Sequence, residues 1–142
     1  MFGEGIYFAD IFNKALQYSQ TNNFHRYNRD LKKAKPSKRY VFLCEVNLGK
    51  MKKLYQAEQV TGIPNSEYQS VMGYGRIAPD PKGSLYVPSG MIIPVGRLTQ
   101  NPEPKLKKDE HWALQHNEFV VYDTSQVRVR YLFELRDLDN QF

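Results

Sequence analysis

The chain has one cysteine, so no disulfide can form within it, and a reducing compartment is the natural setting. That residue, Cys44, lies in an apolar stretch and reads as a small core side chain rather than a nucleophile. Histidine is scarce as well. The three present, His25, His111 and His116, show no ligand spacing, and a lone cysteine cannot complete a zinc set, so no metal is expected. No apolar run approaches the length of a membrane span, and the N-terminus lacks the basic-then-apolar layout of a signal peptide, so no membrane partner is expected. Gly3-x-Gly5 lacks the third glycine of a dinucleotide fingerprint, and a strand-like rather than helical pattern follows it. Those glycines serve either close backbone approach to a ligand or a sharp turn. Repeats and low-complexity tracts are also absent.

What remains is an ordinary globular composition. With 142 residues, 41% hydrophobic and 25% charged, the chain fits one domain with its own core. The net charge of +5 is unevenly spread. Arg26, Arg29, Lys32, Lys33, Lys35, Lys38 and Arg39 cluster with Asp30 as the only acid among them. Such a segment cannot bury itself and reads as a solvated loop. Its alternative readings are a polyanion contact over Arg26 to Arg39 and a nuclear address in its Lys32 to Arg39 portion.

Local pattern gives an outline of the fold. Ile6-Tyr7-Phe8 is extended, and Asp10 is a good N-cap for a short amphipathic helix to about Ser19, with Ile11, Phe12, Ala15 and Leu16 at helical spacing. Tyr40 to Leu48 reads as a strand whose even positions are wholly apolar, closed by a turn at Asn47-Leu48-Gly49-Lys50. From Tyr55 to about His111 glycine and proline punctuate a weak pattern, with short strands at Ser84 to Val87 and Met91 to Val95. Asn101 to Glu110 reads as an exposed loop. Phe119 to Tyr122 is a strand, and Val127, Val129, Tyr131, Phe133 and Leu135 alternate with polar residues on another. The class is α+β, mainly antiparallel sheets with short helices.

Two constellations could carry chemistry. Tyr7 lies before the helix and Tyr18 in its last turns, so a strand-turn-helix corner could bring both rings around one flat ligand; equally, both fit as ordinary core tyrosines. Glu118 opens an apolar strand, either as a strand-end residue in solvent or as a functional acid in a cleft.

These residues resemble a known family. Gly3-x-Gly5-Ile6-Tyr7-Phe8-Ala9-Asp10, with Lys14 and Tyr18, is similar to the nicotinamide-pocket motif of the poly(ADP-ribose) polymerases, specifically the DNA-dependent nuclear branch. Leu43 to Gly49, Ser70-Val71-x-Gly73-x-Gly75, Pro79-Asp80-Pro81, Val87-Pro88, Asn117 to Asp123 and Gln126 to Leu132 match further family blocks in the same order.

The resemblance implies an ADP-ribosyltransferase-like fold with NAD as substrate, no permanently bound cofactor, and transfer of ADP-ribose to protein acceptors or growing poly(ADP-ribose). It assigns Glu118 as the catalytic glutamate and Tyr7 as the middle member of a His-Tyr-Glu triad. Gly5, Tyr7, Phe8, Ala9, Lys14, Ala15 and Tyr18 fall in the substrate pocket, with Met1 and His116 on the acceptor side. A nuclear location and a role in the DNA damage response follow from the same likeness, with DNA met only through domains outside this chain.

Three departures qualify it. The triad histidine has no match, so residues 1–142 read as the C-terminal half of the catalytic domain with the upstream half absent, inactive alone. Ala15 stands where the family has a carboxamide-binding serine, and His116 replaces an aromatic residue. The alternative is a non-catalytic scaffold that binds nucleic acid or poly(ADP-ribose) through its basic loop.

Overall fold

The computed structural model describes residues 1–19, 38–101 and 112–135. Most of the basic segment, nearly all of the expected loop at 101–110, His25 and His111 lie outside the described residues. Ile6-Tyr7-Phe8 is extended, as its sequence implies, and forms β1 (Ile6–Phe8). It pairs antiparallel with β10 (Glu118–Val121), which pairs antiparallel with β4 (Ser70–Gly73) on its other side. β3 (Met51–Leu54) completes this sheet, parallel to β4.

After Tyr74 the chain enters β5 (Gly75–Pro79), the middle strand of a second sheet. Its neighbours are β8 (Leu98–Gln100), antiparallel, and β9 (Leu114–His116), parallel. β6 (Leu85–Tyr86) and β7 (Ile92–Ile93) make a small hairpin between them in sequence. The class is α+β with mixed sheets, most pairings antiparallel.

The core lies on one face of the first sheet, where Phe2, Leu54, Val60, Val71, Leu114 and Val120 pack together, with Ile63 and Tyr122 against them. Phe2 is its largest fully buried side chain. Two hydrogen bonds hold it in place: the Tyr122 hydroxyl donates to the Phe2 carbonyl at 2.6 Å, and the Phe2 N–H donates to the Tyr7 hydroxyl at 3.0 Å. Burying such a side chain contributes about 1.5–3 kcal/mol.

Three expectations need correction. Asp10 does not cap the helix. The helix is α1 (Phe12–Tyr18), its N-cap is Ile11, and no side chain caps it; the Asp10 carboxylate instead accepts from Asn117 Nδ2 at 2.8 Å. A bond to a buried amide outcompetes a local one to exposed backbone. Regular structure also extends into the segment where glycine and proline made it hard to see, since β4 and β5 lie there. Strands elsewhere in the chain supplied their hydrogen bonds, β10 and β8 antiparallel, β3 and β9 parallel.

The third correction concerns Cys44, read as a core side chain but only half-buried, and the two longest strands, on one of which it lies. β2 (Arg39–Val46) and β11 (Val127–Leu135) do pair, antiparallel with a register shift between Val129 and Tyr131, yet they form a two-stranded ribbon rather than a core layer. Phe42 is 60% exposed on one face and Tyr131 63% on the other. Among the described residues α1 approaches β2, yet the large apolar side chains on both faces stay largely exposed. Ion pairs of Lys38 with Glu134 and of Arg130 with Glu45 edge the ribbon, but such exposed pairs contribute little.

The two sheets meet where β4 leads to β5, and Gly75 permits it. A Cβ there would lie 2.1 Å from the His116 carbonyl carbon and 2.4 Å from its Cα, both main-chain atoms that cannot rotate away. Gly75→Ala should therefore push β9 and β5 apart, cost about 1–3 kcal/mol, and lower the melting midpoint by roughly 3 °C or more. A midpoint equal to the parent's in a thermal denaturation scan would contradict this packing.

Candidate active site

Glu118 opens β10 and is buried, 5% exposed. A carboxylate withdrawn from water needs a partner, and α1 provides one: Lys14 Nζ lies 2.8 Å from Glu118 Oε1. Lys14 and Tyr18 are four residues apart on the helix, neighbours on its surface, and the ammonium stands 5.4 Å from the Tyr18 ring centroid. Burial works against the Lys14 charge, but the bond and attraction of Glu118, helped by Tyr18, outweigh it and raise its pKa. Acid, cation and open aromatic ring thus form a connected row, with Tyr18 largely in solvent.

Tyr7 belongs to the same sheet face. It pairs with Val120, and strand alternation puts Glu118, two residues before Val120, diagonally beside it. Its hydroxyl donates to the Gly3 carbonyl at 2.8 Å while accepting from Phe2, so the phenol is tied to the N-terminal segment with its ring half open. Burial, with Tyr7 adding to it, pushes the neighbouring Tyr122 phenol up to about 12. Gly5 is required by β10 itself, because a Cβ would come within 2.5 Å of Val120 Cγ1.

The other residues named from sequence are more scattered. Phe8 pairs with Phe119 and by alternation takes the opposite face of β1 from Tyr7. Ala9 follows it, half-buried, and Ala15 is half-buried on α1. Met1 is exposed, its carbonyl accepting from the Glu58 N–H. His116 ends β9, with Nδ1 buried and without a hydrogen-bond partner among the described residues. No group of His, Cys, Asp and Glu among the described residues could hold a metal ion.

Behind the acid lies a cluster that sequence reasoning passed over. Asn117, 3% exposed, donates to Asp10 and accepts from the Gly75 N–H at 2.9 Å and from Asn101 Nδ2 at 3.2 Å. Burial pushes the Asp10 carboxyl up, against the hydrogen bond from Asn117 and the charge of His116. Asp10, Asn117 and Phe119 also line an open cavity of about 550 Å³ together with Met72 and Tyr74. That cavity lies on the far side of β10 from Glu118, so it is not the space beside the acid. The only sequence signal for this cluster was an amide immediately preceding a strand-opening carboxylate.

Comparison with known proteins bears on what this arrangement serves. The model of the poly(ADP-ribose) polymerase catalytic domain matches residues 1–137. The chain is 36% identical over 138 residues to poly(ADP-ribose) polymerase 1 of Caenorhabditis elegans, covering 96% of this chain and 13% of that protein. It is 36% identical over 137 residues to poly(ADP-ribose) polymerase 1 of Danio rerio, covering 96% and 12%. With poly(ADP-ribose) polymerase 2 of Zea mays the figures are 32% over 136 residues, 95% and 18%. The chain spans less than a fifth of the length of each of these relatives.

The ion pair makes a pH prediction. Because the Lys14 pKa is raised in the folded chain, its contribution to stability is complete below the ordinary value of 10.5 and lost as pH rises through the folded value. Urea unfolding should show Glu118→Gln less stable than the parent by a constant amount from neutral pH to about pH 10. The gap should close at higher pH. A gap that persists there would mean that Lys14 is not the partner that matters.

Proposed function

The chain belongs to the poly(ADP-ribose) polymerase catalytic domain family, and on that premise we propose that it forms part of an enzyme transferring ADP-ribose from NAD to protein acceptors and to growing poly(ADP-ribose). The observation that carries this reading is the buried Glu118 carboxylate, on the same sheet face as Tyr7 and linked through Lys14 to Tyr18. Breaking the nicotinamide–ribose bond sends its electron pair to the ring nitrogen, releases neutral nicotinamide and leaves an oxocarbenium-like ribose. A nearby carboxylate stabilises that charge, as in glycoside cleavage. Glu118 would also bond the ribose 2′-hydroxyl and polarise the acceptor hydroxyl, whose oxygen joins the anomeric carbon as its proton departs.

Tyr18 would stack on the nicotinamide ring, and Tyr7 would wall its other side, aligning the scissile bond. Gly5, Phe8, Ala9, Lys14 and Ala15 complete the pocket in this reading, and Met1 and His116 face the acceptor. NAD is consumed as substrate, and no resident cofactor is invoked. The reading extends to a nuclear enzyme of the DNA damage response that meets DNA through domains outside these residues.

Residues 1–142 are, in this reading, the C-terminal half of the catalytic domain. The ribbon of β2 and β11 supports it. Two-stranded sheets are marginal in water, and one with Phe42 and Leu132 on one face and Leu43, Tyr131 and Phe133 on the other calls for cover from polypeptide other than the described residues.

The chain alone is therefore expected not to turn over NAD. Joined to the family's upstream half and given labelled NAD, it should modify itself, and Glu118→Gln should cut that labelling ~10²–10³-fold. Undiminished labelling in the variant would remove Glu118 from the reaction. Salt-sensitive polyanion binding with no labelling at all would favour a scaffold. In the same joined protein Ala15→Ser should tighten a nicotinamide-like inhibitor by about fivefold, one hydrogen bond's worth. An unchanged dissociation constant in calorimetry would place residue 15 away from the carboxamide.

A further inference from the structure

We propose that the Asp10–Asn117 hydrogen bond is the device that positions the reacting carboxylate, by clamping the start of the Lys14 helix to the head of the Glu118 strand. The inference rests on the role given to Glu118 above only for its consequence in catalysis; the clamp itself stands on geometry.

Asp10 lies two residues before α1, and Asn117 immediately precedes Glu118, yet they are 107 positions apart in sequence and bonded at 2.8 Å. Asn117 is almost wholly buried and uses both ends of its amide. Nδ2 holds the helix side through Asp10, while Oδ1 holds the second sheet through the Gly75 N–H and Asn101 Nδ2. One side chain therefore joins the two sheets and the helix at a single point.

The Lys14–Glu118 ion pair spans the same helix and strand one step further on. Nothing else among the described hydrogen bonds between side chains ties α1 or its entry to β10. If the clamp opens, the helix is free to move, and the lysine leaves the acid. Asp10 and Asn117 are thus positioning residues, acting through Lys14 and Glu118 rather than on substrate.

The bond has a property that allows a clean test. Exchanging the two residues, Asp10→Asn with Asn117→Asp, keeps every donor facing an acceptor. An amide at 10 would donate to a carboxylate at 117, which would still accept from Gly75 and Asn101. The total charge is unchanged. Asn117→Ala, also neutral, removes the clamp and leaves the Gly75 N–H and Asp10 without it.

The readout is the Lys14 titration in the 142-residue chain, followed by side-chain NMR, which needs no NAD turnover. In the parent Lys14 should titrate above its ordinary value of 10.5. Asn117→Ala should shift it downward, and the exchanged pair should restore it. Tyr122→Phe, which loses the bond to the Phe2 carbonyl, should lower stability and leave the Lys14 titration alone.

A folded Asn117→Ala chain with the parent's Lys14 titration would overturn the proposal. So would an exchanged pair that fails to fold or leaves Lys14 at its ordinary value, and that pair alone decides if Asn117→Ala does not fold. A restored titration without any ADP-ribose transfer in the joined protein would keep the clamp and refute the enzymatic reading instead.

Discussion

The positions of Tyr7 and Glu118 are set by the pairing of β10 between β1 and β4. That strand has hydrogen-bonded neighbours on both sides and buried residues on both faces, with Val120 facing the core and Val121 facing the opposite side. Register then leaves no freedom. A slip of one residue would turn Glu118 to the other face and take Val120 out of the core cluster. The close contacts around Gly5, with Val120, and around Gly75, with the main chain of His116, hold that register from two directions.

Given that register, a buried acid becomes tolerable only with a cation at hand. Lys14 supplies it from a helix of seven residues that buries none of its side chains fully. Such a helix is too short to persist alone in water, so its place depends on contacts at its ends. The residue before it, Ile11, is buried, and Asp10 is bonded across the sheet junction. The charged pair and the amide behind it thus support each other through the short stretch of chain between Asp10 and Lys14.

What could be read in the sequence was what is local. β11 follows from alternation and β1 and β10 from short apolar runs, signals that depend only on near neighbours. β3 was invisible because Lys52 and Lys53 interrupt it, and its partner β4 is parallel and far along the chain. Asp10 has the composition of a helix cap, and no nearby residue reveals that an amide 107 positions later will take its carboxylate. The motif residues Tyr7, Lys14, Tyr18 and Glu118 were legible as letters. The ion pair that joins two of them was not, because it arises from the crossing of a helix and a strand. The apolar faces of β2 and β11 were legible as apolar, and pattern alone cannot say what lies over them.

The caging of the Lys14 ammonium has an outcome for covalent chemistry. An amine acts as a nucleophile only after it gives up its proton, and a carboxylate on one side with a π-face on the other both favour keeping it. Reagents that acylate the ordinary lysines of this basic chain will meet a side chain with almost no free electron pair near neutrality. The residue nearest the acid is in this way chemically quiet, a guard post rather than an attacker.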